Sequence, residues 1–149
     1  MPLLFQLLSV LFVYFLLYQI NCYFQLLSLH LLLLILIVQL LFNLIENAVK
    51  YTPANSQITL KIEKKNSIVS FEVADNGYGI AENELDFIFE RFFRSSQNSS
   101  AEKRGLGLGL AICKSIAKAH GGSLSVFNNS NNGATFKLEL AVEREKNGY

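Results

Sequence analysis

The chain has 149 residues, with 13 basic and 12 acidic side chains and a formal net charge of +1 at pH 7. This length allows one ordinary domain, and the near-zero charge gives no reason to predict a nucleic-acid partner. The two cysteines, Cys22 and Cys113, lie far apart in the sequence. They predict neither a disulfide framework nor a metal site, and a reduced, cytoplasmic setting is expected.

The charged side chains are distributed unequally along the chain. Residues 1–45 contain no Asp, Glu, Lys or Arg, so all charged side chains lie in residues 46–149. Within the charge-free part, residues 3–20 and 23–42 are each long enough to span a bilayer. Three interpretations stand open for this part: a membrane anchor, a stretch outside the natural reading frame, and a core helix buried in a larger assembly.

Residues 43–51 predict an amphipathic helix that stops at Thr52-Pro53. Its apolar stripe comprises Leu41, Leu44, Ile45 and Ala48, and its polar face comprises Asn43, Glu46, Asn47 and Lys50. A plain solvated face is one interpretation. Two asparagines are weak helix formers that such a face does not need, and a carboxamide oxygen is a good ligand for Mg²⁺, which favours a binding face.

Two strands follow the helix, at residues 57–63 and 68–74, and predict an antiparallel pair with one dry face. Asp75 continues the inward parity of the second strand. A buried carboxylate needs a partner, and Gly77 and Gly79 suit close approach by a ligand. An ordinary Asp-Asn-Gly turn is the alternative.

Residues 84–93 predict a short helix, and residues 94–104 form a polar loop. The glycine loop Gly105-x-Gly107-x-Gly109 then opens a helix and would present free backbone amides to phosphate. Its spacing differs from the dinucleotide fingerprint, and the chain contains no P-loop sequence. The predicted inner side of the new helix is Leu108, Ala111, Ile112, Ile116 and Ala119.

The chain continues into a glycine-capped helix end at His120, which is most simply structural. Two strands follow, one beginning near Leu124 and one covering residues 134–140, with a hairpin loop at residues 128–133. The element order predicts an α+β fold: a two-layer α/β sandwich with helices on one face of a mostly antiparallel sheet. An apolar, helical N-terminal segment precedes it.

In order and spacing, residues 43–51, 75–80 and 105–112 resemble the N, G1 and G2 boxes of the catalytic and ATP-binding domain of sensor histidine kinases. Residues 87–94 resemble its F box, and the polar loop 94–104 resembles its ATP lid. That family shares its nucleotide fold with type II topoisomerases and a class of chaperones. The predicted division of the chain is 1–39 as a charge-free hydrophobic segment, 40–143 as the ATP-binding domain and 144–149 as a polar tail.

The resemblance implies a role for each matching residue. Asn47 would coordinate Mg²⁺, and Asp75 would accept a hydrogen bond from the adenine amino group. The expected catalytic or phosphate-contacting side chains are Asn43, Lys50, Arg91 and Arg94. The other expected ATP contacts are Tyr51, Gly77, Gly79, Ile80, Gly105, Leu106, Gly107, Leu108 and Gly109.

The implied function is that of an ATP-dependent protein-histidine kinase. The domain would bind Mg-ATP and donate the γ-phosphate to a histidine on a dimerisation domain, which serves a response regulator. Neither His30 nor His120 resembles an acceptor, so self-phosphorylation is not expected. A non-catalytic ATP-binding fragment is the alternative. An ATP hydrolase is less favoured, because hydrolytic relatives carry a Glu where this chain has Asn43. The ATP-binding domain is expected in the cytoplasm, attached to the inner membrane if residues 3–42 are a membrane segment.

Overall fold

The structure, a computed structural model, describes the backbone of residues 2–95 and 106–142 and the side chains of residues 11–95 and 106–142. The chain divides into two compact units, Met1–Leu36 and Ile37–Tyr149. The elements are α1 (Pro2–Tyr51), β1 (Ile58–Lys65), β2 (Ile68–Asp75), a 3₁₀ turn (Glu82–Glu84), α2 (Gly109–Ala119), β3 (Ser123–Asn128) and β4 (Ala134–Ala141).

The first unit consists of the N-terminal part of α1, which confirms the predicted apolar helical segment. The helix runs without interruption through Asn21 and Cys22, the pair that separates the two apolar stretches. Its described side chains are almost all exposed. Within the described residues, one helix, Leu11–Tyr51, has the length and composition needed to cross a membrane. A signal sequence or a core helix of a soluble protein meets the same criteria.

The second unit is built on a four-stranded sheet in the order β1-β2-β4-β3. Every pairing is antiparallel, from β1 on β2 to β4 between β2 and β3. The C-terminal part of α1 and α2 pack on this sheet, which confirms the predicted two-layer sandwich. Alternate residues of β4 point into the layer between sheet and helices, and Leu138 is fully buried there.

The core of the second unit joins both helices to the two central strands. The fully buried side chains are Leu40 and Leu44 of α1, Cys113 of α2, Val73 of β2 and Leu138 of β4. Burying one leucine side chain contributes about 1.5–3 kcal/mol. The Cys113 thiol donates to the Leu40 carbonyl at 3.7 Å, and burial raises the pKa of this thiol. The two helices are therefore in direct contact beside the polar face of α1.

The predicted helix at residues 84–93 is wrong, because the segment is a run of turns. Most of its backbone hydrogen bonds span three residues rather than four, such as Phe87 N–H to Glu84 O at 2.9 Å. Phe92 then takes a left-handed conformation, with φ at +66°, and its amide donates to Gly107 O at 2.9 Å. This non-local bond and the positive φ are incompatible with a continuing α-helix.

Two predicted apolar faces also differ from the structure. In α2, Ile112 and Ala119 are exposed, whereas Cys113 and Ala117 are buried, so the packed face is rotated by about one position. The β1–β2 pair forms as predicted, but its expected dry face is open at β1, where Leu60 is 46% and Ile62 is 60% exposed. Alternation shows which side chains share a face and not what covers that face.

Candidate functional site

A cavity of about 350 Å³ lies in the second unit between the polar face of α1, the loop after β2 and the loop before α2. The α1 residues that line it are Asn43, Glu46, Asn47, Ala48, Lys50 and Tyr51. The β2 end and its loop contribute Asp75, Tyr78, Gly79, Ile80 and Ile88, and the third side comprises Phe93, Arg94, Ser95, Leu106, Gly107, Leu108, Gly109 and Leu110. Ala134 and Phe136 of β4 complete the lining.

The α1 wall carries four polar side chains because they recur at helical spacing on the face opposite the buried stripe. Asn43 Oδ1 accepts a hydrogen bond from Gln39 Nε2 at 3.2 Å, one turn earlier in the helix. Lys50 Nζ lies 5.3 Å from the centre of the Tyr51 ring, within the range of a cation–π contact. This wall offers amide groups and an ammonium group to an anionic or metal-bound ligand.

Asp75 stands at the end of β2 with one carboxylate oxygen engaged by the protein. Its Oδ1 accepts from the amide of Gly77 at 2.9 Å and from the amide of Ala134 at 3.3 Å. Within the described residues, no donor is bonded to Oδ2. The partner that a half-buried carboxylate requires is thus the backbone, and Oδ2 remains as an acceptor for a ligand in the cavity.

The loop at residues 75–80, called the Asp75 loop below, is held by the β3–β4 hairpin. The Asn128 carboxamide accepts from Ile80 N–H at 2.8 Å and donates to Ile80 O at 2.7 Å. Between these anchors Gly79 takes φ of +66°, which favours glycine. Tyr78 is exposed at the rim of the cavity.

The third side of the cavity is a loop that leads into α2. Gly107 has φ of +69°, and a Cβ there would lie 2.7 Å from Phe93 O, so only glycine fits between the two segments. Gly109 begins α2, and among the described residues no atom outside its own helix turn lies within 4 Å of its Cβ position. The first-turn amides of a helix have no intrahelical acceptor, so the end of α2 that borders the cavity suits an anion.

Most of the predicted site residues line this cavity. Arg91 and Gly77 do not line it, although Gly77 bonds Asp75, and Gly105 lies outside the described residues together with residues 96–104 of the predicted lid. The lining residues not predicted are Glu46, Ala48, Tyr78, Ile88, Phe93, Ser95, Leu110, Ala134 and Phe136. Glu46 and Tyr78 had a local signal, because each is next to a predicted residue on the same face or loop.

In the part of the chain that the structure describes, no three His, Cys, Asp or Glu side chains come together to hold a metal ion. Asn43 and Asn47 present carboxamide groups to the cavity instead. Mg²⁺ is usually held by few protein ligands together with water and substrate phosphates. The side chains present suit such shared coordination.

Comparison with known proteins identifies the family of the domain that contains this cavity. The family described as histidine kinase-, DNA gyrase B-, and HSP90-like ATPase matches residues 34–144. Over 108 residues, 72% of this chain, the sequence is 46% identical to the sensor protein KdpD of Clostridium acetobutylicum, of which it covers 12%. It is 41% identical over 100 residues, 67% of the chain, to the histidine-protein kinase ArlS of Staphylococcus aureus, of which it covers 22%. The chain thus spans less than a quarter of the length of either relative.

Solved structures agree with the sequence comparison. The mycobacterial sensor histidine kinase MprB matches with a TM-score of 0.63 at 30% identity, over 69% of this chain and 70% of that chain. The catalytic domain of histidine kinase ThkA matches with a TM-score of 0.62 at 34% identity, over 71% and 67%. Full-length ShkA in complex with AMPPNP matches with a TM-score of 0.61 at 34% identity, over 72% and 22%. The chain therefore belongs to the histidine kinase-, DNA gyrase B-, and HSP90-like ATPase family, and its relatives within that family are sensor histidine kinases.

Proposed function

We propose that the cavity binds Mg-ATP and that the domain donates the γ-phosphate to a histidine on a separate dimerisation domain. The observation that carries this proposal is the arrangement of Asp75. Its Oδ1 is held by two backbone amides, Asp75 lines the cavity, and among the described residues no donor is bonded to its Oδ2. A fixed carboxylate oxygen accepts from the amino group of adenine, whereas guanine presents a carbonyl acceptor at the equivalent position of its ring.

The remaining groups divide between the base and the phosphates. Gly79 and Ile80 border the base beside Asp75, while Asn47 offers its carboxamide oxygen to Mg²⁺. Asn43 and Lys50 face the phosphates from α1. The expected contacts from the other sides are Tyr51 and Arg94, with Leu106, Gly107, Leu108 and Gly109 closing over the phosphates.

The size and chemistry of the cavity support a nucleotide. Its volume of about 350 Å³ lies within the range of roughly 300–1,000 Å³ that is usual for small-molecule sites. Its walls combine an acceptor for the base, amides and an ammonium for phosphate, and a helix N-terminus. Phosphoryl transfer depends mainly on positioning and charge stabilisation, and these groups supply both.

Two other functions fit parts of the site. A nucleotide-binding module without catalysis needs the same cavity. An ATP hydrolase needs a base to activate water, and Glu46 is a carboxylate that lines the cavity from α1. Histidine kinase activity is favoured because ArlS and MprB, both similar to this chain, are histidine kinases. It is also favoured because a side-chain amide, Asn43, stands where hydrolytic relatives carry a Glu.

We also propose that residues 40–143 are the ATP-binding domain, that it works in the cytoplasm, and that the apolar residues 3–42 attach it to the inner membrane. The exposed apolar side chains of the first unit support this attachment, because such a surface is costly in water. The histidine-bearing domain would act in trans and pass the phosphate to a response regulator. Extraction of the chain from vesicles by alkaline carbonate would contradict membrane insertion.

Calorimetric titration of the full chain in detergent micelles tests ATP recognition. A hydrogen bond to a charged group is worth about 1.5–3 kcal/mol, so Mg-ATP should bind about 10- to 150-fold more tightly than Mg-GTP. Equal affinities would contradict the role of Asp75.

Radiolabelled ATP tests the reaction. The chain alone should take up no acid-labile label, and an added acceptor domain from a related kinase should become labelled. A label that is lost on His30→Ala or His120→Ala would show self-phosphorylation instead. Phosphate release that disappears in Glu46→Gln would support the hydrolase.

A further inference from the structure

The β3–β4 hairpin holds the Asp75 loop although the two lie far apart in the sequence. The Asn128 side chain forms a reciprocal pair with one residue: Ile80 N–H donates to Oδ1 at 2.8 Å, and Nδ2 donates to Ile80 O at 2.7 Å. The two residues are separated by 48 positions. At neutral pH a carboxamide presents an acceptor and a donor side by side, which an ionised carboxylate cannot, so Asn128 fixes both the position and the orientation of the Ile80 peptide groups.

A second asparagine holds the other end of the loop. Asn129 Nδ2 donates to Asp75 O at 2.8 Å, and it is also shared with Thr135 Oγ1 at 3.1 Å. Its Oδ1 accepts from the amides of Asn131 at 3.0 Å and Gly133 at 3.1 Å. Both polar atoms of the Asn129 side chain are thus engaged in hydrogen bonds, with the hairpin and with the backbone of Asp75.

The hairpin also approaches the loop too closely for larger residues. A Cβ on Gly133 would lie 1.9 Å from Asp75 O. A Cβ on Gly79 would lie 2.9 Å from Asn128 Oδ1. Both glycines therefore permit the contact through which Asn128 and Asn129 reach the loop.

We propose that Asn128, assisted by Asn129, is a positioning residue for purine recognition, which holds the Asp75 loop in the conformation that aims Asp75 Oδ2 at the base. This inference rests on the proposed function. Neither asparagine lines the cavity, so they act through Asp75 and Ile80 rather than by touching the nucleotide. Within the described residues, their side-chain hydrogen bonds reach the Asp75 loop and the hairpin and not α1. The α1 wall, which serves the phosphates, is therefore independent of them.

Because the α1 wall does not depend on these asparagines, we expect their loss to weaken only one part of nucleotide binding. Loss of the Asn128 pair should weaken binding of the base and leave binding of Mg-tripolyphosphate unchanged. One hydrogen bond is worth about a 2- to 12-fold change in an equilibrium constant, so Asn128→Ala, which removes two, should weaken Mg-ATP about 10-fold. Asn128→Ser keeps one hydrogen-bond partner for Ile80 and should lose less affinity for Mg-ATP than Asn128→Ala.

The variant Asn128→Asp separates positioning from general damage to the fold. At pH 7.5 its carboxylate still accepts from Ile80 N–H but faces Ile80 O without a donor. The affinity for Mg-ATP should then match that of Asn128→Ala. Because the carbonyl opposes the charged form, the pKa of the new carboxyl is raised, and protonation on lowering the pH to about 5 restores the donor and the affinity. The matched control is Asn131→Asp, an exposed residue of the same hairpin loop, which should bind as the wild type does at both pH values.

Hydrogen–deuterium exchange of the ligand-free chain supplies a readout that needs no nucleotide. The amides of residues 76–80 should exchange at least about 10-fold faster in Asn128→Ala, while α1 amides keep their rates. Unchanged exchange and unchanged ATP affinity in Asn128→Ala would overturn the inference, and so would equal losses for ATP and tripolyphosphate. A wild-type chain that binds no ATP would overturn the proposed function itself, whereas wild-type binding with no effect of Asn128 overturns the positioning role alone.

Discussion

The two main walls of the cavity are built in opposite ways. The Asp75 loop is fastened by residues from distant parts of the chain. The amide of Gln57, which precedes β1, donates to Asn76 Oδ1 at 2.7 Å, and Asn128 and Asn129 of the β3–β4 hairpin bind the Ile80 and Asp75 backbone. The α1 wall instead lies on a single helix, where the Asn43 side chain accepts from Gln39 one turn earlier and also contacts the Cys113 thiol of α2.

The difference corresponds to the two parts of the proposed ligand. A base is recognised by the direction of its hydrogen bonds, so the groups that read it need a fixed backbone. Phosphate and a cation are recognised mainly by charge, which tolerates small displacements of long side chains. We expect substitutions that disturb the supports of the Asp75 loop to cause large losses of affinity for the base. Substitutions in the α1 wall should cause smaller losses of affinity for the phosphates.

The largest effect should come from Gly133→Ala. The added Cβ would overlap Asp75 O, at 1.9 Å, and overpacking of this kind costs about 3 kcal/mol of unfolding free energy. Urea unfolding measures it. Gly121→Ala is the matched control, because Gly121 has φ of +66° but its Cβ position has no neighbour within 4 Å in the part of the chain that the structure describes. Its cost is about 1 kcal/mol. Equal losses of unfolding free energy in the two variants would show that the hairpin is not in close contact with the loop at Gly133.

Asp75→Asn should affect binding rather than folding. The Asn oxygen can still accept from the amides of Gly77 and Ala134, while the ligand-facing oxygen becomes a donor that opposes the adenine amino group. Affinity for Mg-ATP should fall about 10- to 150-fold with an unchanged melting temperature, as calorimetry and thermal melts would show. Loss of the folded state instead would mean that Asp75 is only a structural turn residue.

Asn47→Ala tests the α1 wall. Removing one neutral ligand should weaken Mg-ATP by about 2- to 12-fold and reduce the dependence of ATP binding on Mg²⁺, because the carboxamide oxygen is the proposed metal ligand. Binding of adenosine should stay the same. The measurement is a titration of both ligands with and without Mg²⁺, and an equal loss for adenosine would show that Asn47 acts through packing.

The smallest effect concerns the support of the α1 wall by Cys113. Burial raises the pKa of this thiol, so the unfolded chain ionises first as the pH rises. The contribution of Cys113 is complete below the ordinary thiol pKa of about 8.5 and is lost as the pH rises through the higher folded value. The stability difference between the wild type and Cys113→Ala, about 1 kcal/mol, should shrink in urea unfolding as the pH rises above the ordinary thiol pKa of about 8.5. A difference independent of pH would contradict this account.

The same contrast explains what the sequence predicts well. The polar face of α1 follows from local spacing, and all four of its residues line the cavity. Asp75 follows from strand parity. The Asn128 pair and the lining residues of β4 have no local signal, because they depend on pairing between segments that are distant in the chain. The helix predicted at 84–93 failed for the same reason, since the bond from Phe92 to Gly107 is invisible in a local pattern.

The hydrogen bonds of the loop glycines have a consequence for the chemical ageing of the protein. Asn76-Gly77 and Asn132-Gly133 are Asn-Gly pairs, in which the glycine amide nitrogen attacks the asparagine side-chain carbonyl and expels ammonia. Water then opens the resulting succinimide to aspartate or isoaspartate. In the folded chain the Gly77 amide is held by Asp75 Oδ1 and the Gly133 amide by Asn129 Oδ1. Deamidation at both pairs therefore requires these bonds to open, so its rate is governed by how often the Gly77–Asp75 bond within the loop and the Gly133–Asn129 bond within the hairpin break.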